Sequence, residues 1–207
     1  MVAEAVGSPG VRRRSAEITR DKLLTAAVEL FAERGYDGVR VRHIAERAGV
    51  TTGAIYAHYA DVATLLADAA GRAVDYAVHA VVEGAPSDLG PLLRTFVMHA
   101  TEKSLSREQA LLLEAFVAAR RSPRLREVLG EVLQARLRSL EKALCDAQLA
   151  GTLRSDLPVK ALAWYFYLLP VGLLAGQGAE LPAPDRRETF VVLEALLAGL
   201  RPVAPPT

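Results

Sequence analysis

The sequence predicts an all-α protein: a three-helix head with a helix-turn-helix, and behind it a C-terminal helical bundle. Three observations predict it. Ala and Leu dominate an apolar fraction of 51%, whereas aromatic residues make up only 6%; Ala and Leu lose little on entering a helix. Apolar residues recur at spacings of three and four along most of the chain, with no strand-like alternation. Two short stretches of that kind flank a bend at Gly49, the arrangement that joins two steeply crossing helices.

The first helix is expected over 19–34. Thr19 would cap it, Ile18 and Leu23 are placed as a hydrophobic staple, and Leu24, Ala27, Val28 and Phe31 form one apolar stripe. Gly35 stops it, and 35–38 form a turn. Helices over 41–48, 52–59 and 61–83 follow, then a break at 84–90 rich in turn residues. Beyond it helices are expected over 90–104, 107–120, 123–150, 158–176 and 186–200. Ser122 before Pro123 reads as a cap followed by a first-turn proline, and Asp156 with Pro158 reads the same way. Gly151 closes the longest helix, and 176–184 form a loop. The implied organisation is a disordered basic arm over 1–17, the head over 18–60, an effector-binding and dimerisation domain over 61–201, and a frayed tail over 202–207.

A net charge of +1 says little about nucleic acid, but its distribution says more. Arg12, Arg13, Arg14 and Arg20 gather near the start, and Arg40, Arg42 and Arg47 face only Glu46 between 38 and 59. A locally basic head on a neutral body suits DNA. The single cysteine, Cys145, forbids an internal disulfide and is expected to be a buried packing residue. With no apolar segment of the secretory kind at the start, a cytoplasmic location is expected. Residues 161–179 carry no charge and approach the length of a membrane span, but Pro170, Gly172, Gly176 and Gly178 argue for a buried or interface helix instead.

The chemistry-bearing segment is 41–59. Ala45 is small enough for two helices to touch, Gly49 takes a turn conformation, and Ile44, Ala48, Val50 and Ile55 lock the pair. The second helix is then free to enter the major groove by its N-terminus. It opens with Thr51, Thr52, Gly53 and Ala54, small residues that permit close approach to phosphates and bases. Tyr56 and His58 lie on its polar side and Tyr59 packs inward. Arg42 and His43, at the start of the first motif helix, point at a DNA backbone strand.

Three blocks, 19–36 (TRDKLLTAAVELFAERGY), 44–50 (IAERAGV) and 53–59 (GAIYAHY), resemble the head of the TetR family of bacterial regulators. The resemblance implies a homodimer on a near-palindromic DNA operator, an inducer site among the C-terminal helices, and most often repression. Carried over by position, Arg42, Thr51, Thr52, Tyr56 and His58 would contact DNA, and Gly53 would allow close approach. The turn at 151–157 (GTLRSDL) is also similar to many members. Val39 and Arg40 stand where the family commonly has a capping Ser or Thr, and Val62 stands where a phosphate-binding Lys is common. Arg40, or the arm containing Arg12, Arg13 and Arg14, is the candidate replacement for that contact.

Phe96, Met98, His99, Leu112, Phe116, Leu144, Trp164, Tyr165 and Tyr167 are expected to line a pocket for a hydrophobic or amphipathic effector. Trp164, Tyr165, Phe166 and Tyr167 are consecutive, so they cannot share one helix face. The last helix carries the single charge Glu194 between 190 and 200 and must bury two faces. With 161–175 it is expected to build an isologous four-helix dimer interface through Leu162, Phe166, Leu169, Leu173, Val192, Leu196 and Leu200. Asp75 with His79, and His99 with Glu102, have spacings that metal ligands use, but surface hydrogen bonds use them more often, and neither metal nor cofactor is expected. No phosphate-binding loop, dinucleotide fingerprint or nucleophile elbow is present. The competing function is a helical ligand-binding protein or enzyme without DNA binding.

Overall fold

The computed structural model describes residues 9–82 and 105–202, the side chains of 9–12 and 73–82 excepted. Eight helices are described: α1 (Pro9–Arg34), α2 (Val41–Ala48), α3 (Thr52–Tyr56), α4 (Val62–Val82), α5 (Arg107–Ala119), α6 (Pro123–Leu149), α7 (Val159–Gly178) and α8 (Arg186–Ala198). The expected helix over 90–104, and with it Phe96, Met98, His99 and Glu102, lies outside the described residues. So do the side chains of Asp75 and His79.

Helix α1 begins ten residues before the expected start, so part of the anticipated disordered arm is helical. Thr19 is therefore no cap. It sits inside the helix, where its hydroxyl donates back to the Ser15 carbonyl at 2.9 Å, a satisfaction that Thr finds readily within a helix. Nor does Ile18 staple the entry: it is exposed, while Leu23 is fully buried. From Leu23 onward the expected stripe holds, with Leu24, Ala27, Leu30 and Phe31 buried and Val28 partly so.

Helix α4 is the central strut. It packs along α6, against α5 and against α1. Where α4 crosses α6, a Cβ on Gly71 would come within 2.6 Å of Arg136 Nη2 and 2.8 Å of Val132 Cγ1. The missing side chain lets the Arg136 guanidinium reach the Gly71 carbonyl, donating from Nε at 3.0 Å. One hydrophobic core runs from the head into the body, joining Phe31, Ile44 and Ile55 to Leu65, Leu66, Leu111, Leu125 and Leu140. Each fully buried Leu, Ile or Phe in it contributes about 1.5–3 kcal/mol relative to exposure.

The caps explain most boundaries. Ser106 accepts from Gln109 N–H and so starts α5. Ser122 accepts from Leu125 N–H at 3.2 Å ahead of Pro123, as expected. Asp156 does not cap α7: it is paired with Arg154, and the helix starts after Pro158 without a side-chain cap. Pro170 lies inside α7, which continues to Gly178. By length and composition α7 could cross a membrane, yet it packs against α5 and α6 through Ala163, Tyr167 and Leu174. Cys145 is exposed rather than buried, because it lies on the outer side of α6 beside buried Leu144.

Candidate nucleic-acid interface

The α2–α3 pair is built by short-range rules. Gly49 has φ +67° and ψ 35°, and nothing within 4 Å would meet a Cβ there. Backbone conformation, not space, is thus what calls for glycine at the bend. Its neighbour Val50 donates to the Ala45 carbonyl at 3.0 Å, closing the turn. Ala45 is buried at the crossing, Ile44 and Ile55 are fully enclosed, and Ala48 and Val50 pack against them partly buried.

Helix α3 has five residues, shorter than the expected 52–59. Thr51 caps it by accepting from Ala54 N–H at 3.2 Å. A tight turn carries the chain on, with His58 and Tyr59 both donating to the Ile55 carbonyl. Thr51, Thr52, Gly53 and Tyr56 lie on the exposed side, Tyr56 with 59% of its surface open. Among the described residues only Thr51 Oγ1, at 3.8 Å, stands near a Cβ at Gly53, so the surface there is open to an incoming group. His58 is half-buried, and Tyr59 is buried as expected.

Of the local arginines, Arg40 and Arg42 are exposed. Arg47 is committed elsewhere: its guanidinium bridges Glu29 and Glu33 of α1, each at 2.9 Å. Those hydrogen bonds, Glu33 first, hold its charge even more firmly than usual. Arg47 thereby fixes α2 against α1 rather than adding to the basic surface. His43 is half-buried, and Arg40 N–H donates to its Nδ1 at 3.2 Å.

Four polar ties that sequence reasoning did not find anchor this head to the body. Tyr59 Oη donates to Asp68 at 2.6 Å and accepts from Arg20 Nε at 3.2 Å, while Arg20 Nη2 pairs with Asp68 at 2.7 Å. Burial, then the bond to Asp68, pushes the Tyr59 phenol above its ordinary range. Glu114 of α5 accepts from Tyr36 N–H in the α1–α2 turn at 2.8 Å. Arg121 pairs with Asp37 of that turn at 2.9 Å, and Arg124 pairs with Asp61, just before α4, at 3.0 Å. Tyr59 and Asp68 lie 9 positions apart, and the other partners, which no local signal marks, lie 39 to 84 apart. The result is a short helix presented outward on a rigid mount.

The sequence signature of the bacterial regulatory proteins of the tetR family matches residues 23–69. The HTH-type transcriptional regulator AcrR of Shigella flexneri is 30% identical over 104 residues, covering 49% of this chain and 48% of AcrR. The HTH-type transcriptional repressor BepR of Brucella suis biovar 1 is 43% identical over 65 residues, 30% of this chain and 31% of BepR. The chain therefore matches at most about half the length of these curated relatives. Likeness of fold extends further. A chain described as a TetR-family transcriptional regulator from Rhodococcus sp. superposes with TM-score 0.70 at 25% identity, covering 87% of this chain and 99% of that one. Over residues 23–69 the head is therefore similar to that of the bacterial regulatory proteins of the tetR family. Salmonella enterica GusR shares the fold, with TM-score 0.71 at 22% identity over 88% of this chain and 94% of GusR.

The residues expected to line a pocket divide. Leu112, Leu144 and Tyr167 are buried and Phe116 is half-buried, all facing the interior of the bundle. Trp164 and Tyr165 are 52% and 71% exposed, so the fold does not bring them together with Tyr167. The 100° step of a helix is the reason: placing Tyr167 inside turns Tyr165 out. Of the expected dimer residues, Leu162, Phe166, Leu173 and Leu200 are half-buried within the chain, whereas Leu169, Val192 and Leu196 are exposed. Helix α8 buries only Thr189 and Leu197. Between α7 and α8 an apolar groove of about 650 Å³ is lined by Phe166, Leu169, Gly172, Leu193 and Leu196, among others. Among the described residues no cluster of three metal-ligating side chains occurs.

Proposed function

We propose that this protein is a TetR-family regulator, a cytoplasmic repressor that binds a near-palindromic DNA operator as a homodimer and is released by a small hydrophobic or amphipathic ligand. The observation that carries the reading is the open face of α3. Thr51, Thr52, Gly53 and Tyr56 are exposed on a helix whose other side is locked by Ile55 and Tyr59. Residues 18–60 act as the reading head, with Arg40, Arg42 and His43 meeting one backbone strand and α3 entering the major groove. Arg47 is left out of that surface because it holds α1.

The exposed apolar face of α7 and α8 supports dimerisation. Phe190, Val191, Val192 and Leu196 are exposed on a helix that buries only Thr189 and Leu197, and a second copy related by a two-fold axis would cover part of that apolar surface on both chains. Trp164 and Tyr165 belong with this face rather than with the pocket. The proposed effector site lies among the interior-facing Leu112, Phe116, Leu144 and Tyr167. A ligand that favours one arrangement of the bundle would shift α4 and α5, and both are tied to the head, α4 through Asp68 and α5 through Glu114. Half-sites must lie about 34–36 Å apart or at a multiple of that spacing, so a small rotation of each head lowers affinity. No catalytic role is proposed.

The test uses duplex DNA selected by the protein from a random-sequence pool. Affinity should fall by about 10³–10⁵ between 50 and 200 mM salt if six to ten phosphates are contacted. Thr52→Ala and Tyr56→Ala should each weaken binding by about 1–3 kcal/mol if they touch base edges. A chain that enriches no sequence from the pool, at any salt concentration, would end this reading.

A further inference from the structure

Helix α2 has an unusual start. Its N-cap, Arg40, has extended backbone angles (φ −124°, ψ 156°) and makes no side-chain cap. A guanidinium carries donors only, so it has nothing to offer the free N–H groups of the first turn. In the common capping box an acid or amide three residues into the helix reaches back to the N–H of the capping residue. Here His43 takes that place: Arg40 N–H donates to His43 Nδ1 at 3.2 Å.

The other ring nitrogen is also approached by a donor. Arg42 Nε lies 3.3 Å from His43 Nε2. A neutral imidazole has one unprotonated nitrogen, so it can accept only one of these two bonds. The backbone N–H of Arg40 is fixed by the start of the helix and cannot turn to another partner. Arg42 is exposed on a flexible stem, and water takes its donor at little net cost. With Nδ1 taken by the fixed donor, the proton belongs on Nε2, and the Arg42 guanidinium, 3.3 Å from that nitrogen in the structure, would have to swing off the ring. Two donors then stand side by side on the outer surface of α2.

We infer that His43 is a two-sided positioning residue: Nδ1 holds the start of α2 in place of the missing side-chain cap, and Nε2–H donates, beside Arg42, to a phosphodiester oxygen of the DNA backbone. The second half rests on the DNA-binding reading above; the first does not. A phosphate has several acceptor lone pairs and satisfies both donors at once. The residue that registers the helix therefore also registers it on the duplex.

Nitrogen-15 NMR of the full chain at about pH 8.5, above the ordinary imidazole range, reads the tautomer, with the His43→Gln spectrum identifying the resonance. The Nε2–H form is expected, and an Nδ1–H form overturns the cap. Three substitutions separate the roles, read by thermal midpoint and by affinity for duplex selected from a random pool by the parent. His43→Gln keeps an acceptor and a donor, and should match the parent in both. His43→Glu keeps the acceptor but turns a like charge toward phosphate: the midpoint should hold while affinity falls by at least about tenfold. His43→Ala should lower both. Parent-like affinity in the Glu variant removes the phosphate contact, and a parent-like midpoint in the Ala variant removes the cap. Should the parent select no duplex, the DNA reading fails, while the tautomer and midpoints still decide the cap.

Discussion

Tyr59 closes the reading head at its junction with α4, and its hydroxyl is fully used: it donates to Asp68 and accepts from Arg20. Because the ring is buried, that hydroxyl has no water to fall back on. Tyr59→Phe should keep the packing and the direct Arg20–Asp68 pair at 2.7 Å, yet lower stability by about 1–2 kcal/mol. The measurement is the urea midpoint at constant slope. An unchanged midpoint would mean that the triangle contributes nothing. The burial that raises the phenol's pKa keeps it neutral at physiological pH, so its part in the triangle is always that of a donor to Asp68. At Thr51 the division of labour is different. Its oxygen caps α3 while its own proton remains available outward, so one small side chain shapes the helix and still offers a donor to DNA.

At the scale of elements, α4 is a strut whose first turn is bolted in two directions. Asp61 Oδ1 accepts from both Thr64 N–H and Thr64 Oγ1–H at 2.7 Å, and Oδ2 accepts from Arg124 of α6. Partial burial pushes the Asp61 carboxyl up, but the Thr64 and Arg124 hydrogen bonds outweigh it and leave the group below the ordinary aspartate value. A depressed carboxylate stabilises the fold above its unfolded pKa, and the benefit disappears as pH falls through the folded value. Asp61→Asn can still cap α4 but cannot pair with Arg124. At pH 7 the substitution should cost no more than about 1 kcal/mol, since the ion pair is partly solvated. The gap between parent and variant thermal midpoints should shrink as pH drops below about 4. A gap that is constant with pH would assign the effect to packing rather than charge. Helix α5 contributes the second bolt: Glu114 holds the α1–α2 turn by Tyr36 N–H, so movement of α5 reaches α2 without passing through α4.

For the molecule as a whole, the decisive feature is that the last helix is half finished. Val191, Val192 and Leu196 are 58%, 58% and 60% exposed, a cost that the proposed second copy would remove. Leu196→Glu should convert a dimer into a folded monomer in sedimentation velocity, with little change in far-ultraviolet circular dichroism. DNA affinity should drop as well, because one head alone grips one half-site. Retention of the dimer at the same concentration would place the interface elsewhere. The head shares one continuous core with the body, so a rearrangement of the bundle is transmitted to the reading surface without a flexible linker to absorb it.

The sequence by itself determined most of the described helices, though not all their ends, together with the bend at Gly49 and the exposure of Thr51, Thr52, Gly53 and Tyr56. Each of these depends on residues within about four positions of one another, where periodicity, capping and backbone preference act. It read Ser122–Pro123 correctly for the same reason. It misjudged Thr19, because a cap is legible only if the helix starts there, and α1 starts at Pro9. It also misplaced Trp164 and Tyr165, expected beside Tyr167 in a pocket but 52% and 71% exposed in the structure. Only the tertiary structure decided that Tyr167 faces inward, that Arg47 is spent on Glu29 and Glu33, and that Glu114 reaches Tyr36 from 78 positions away. Such pairings follow from how helices cross, and crossing is set by the packing of the whole core rather than by any short stretch of chain.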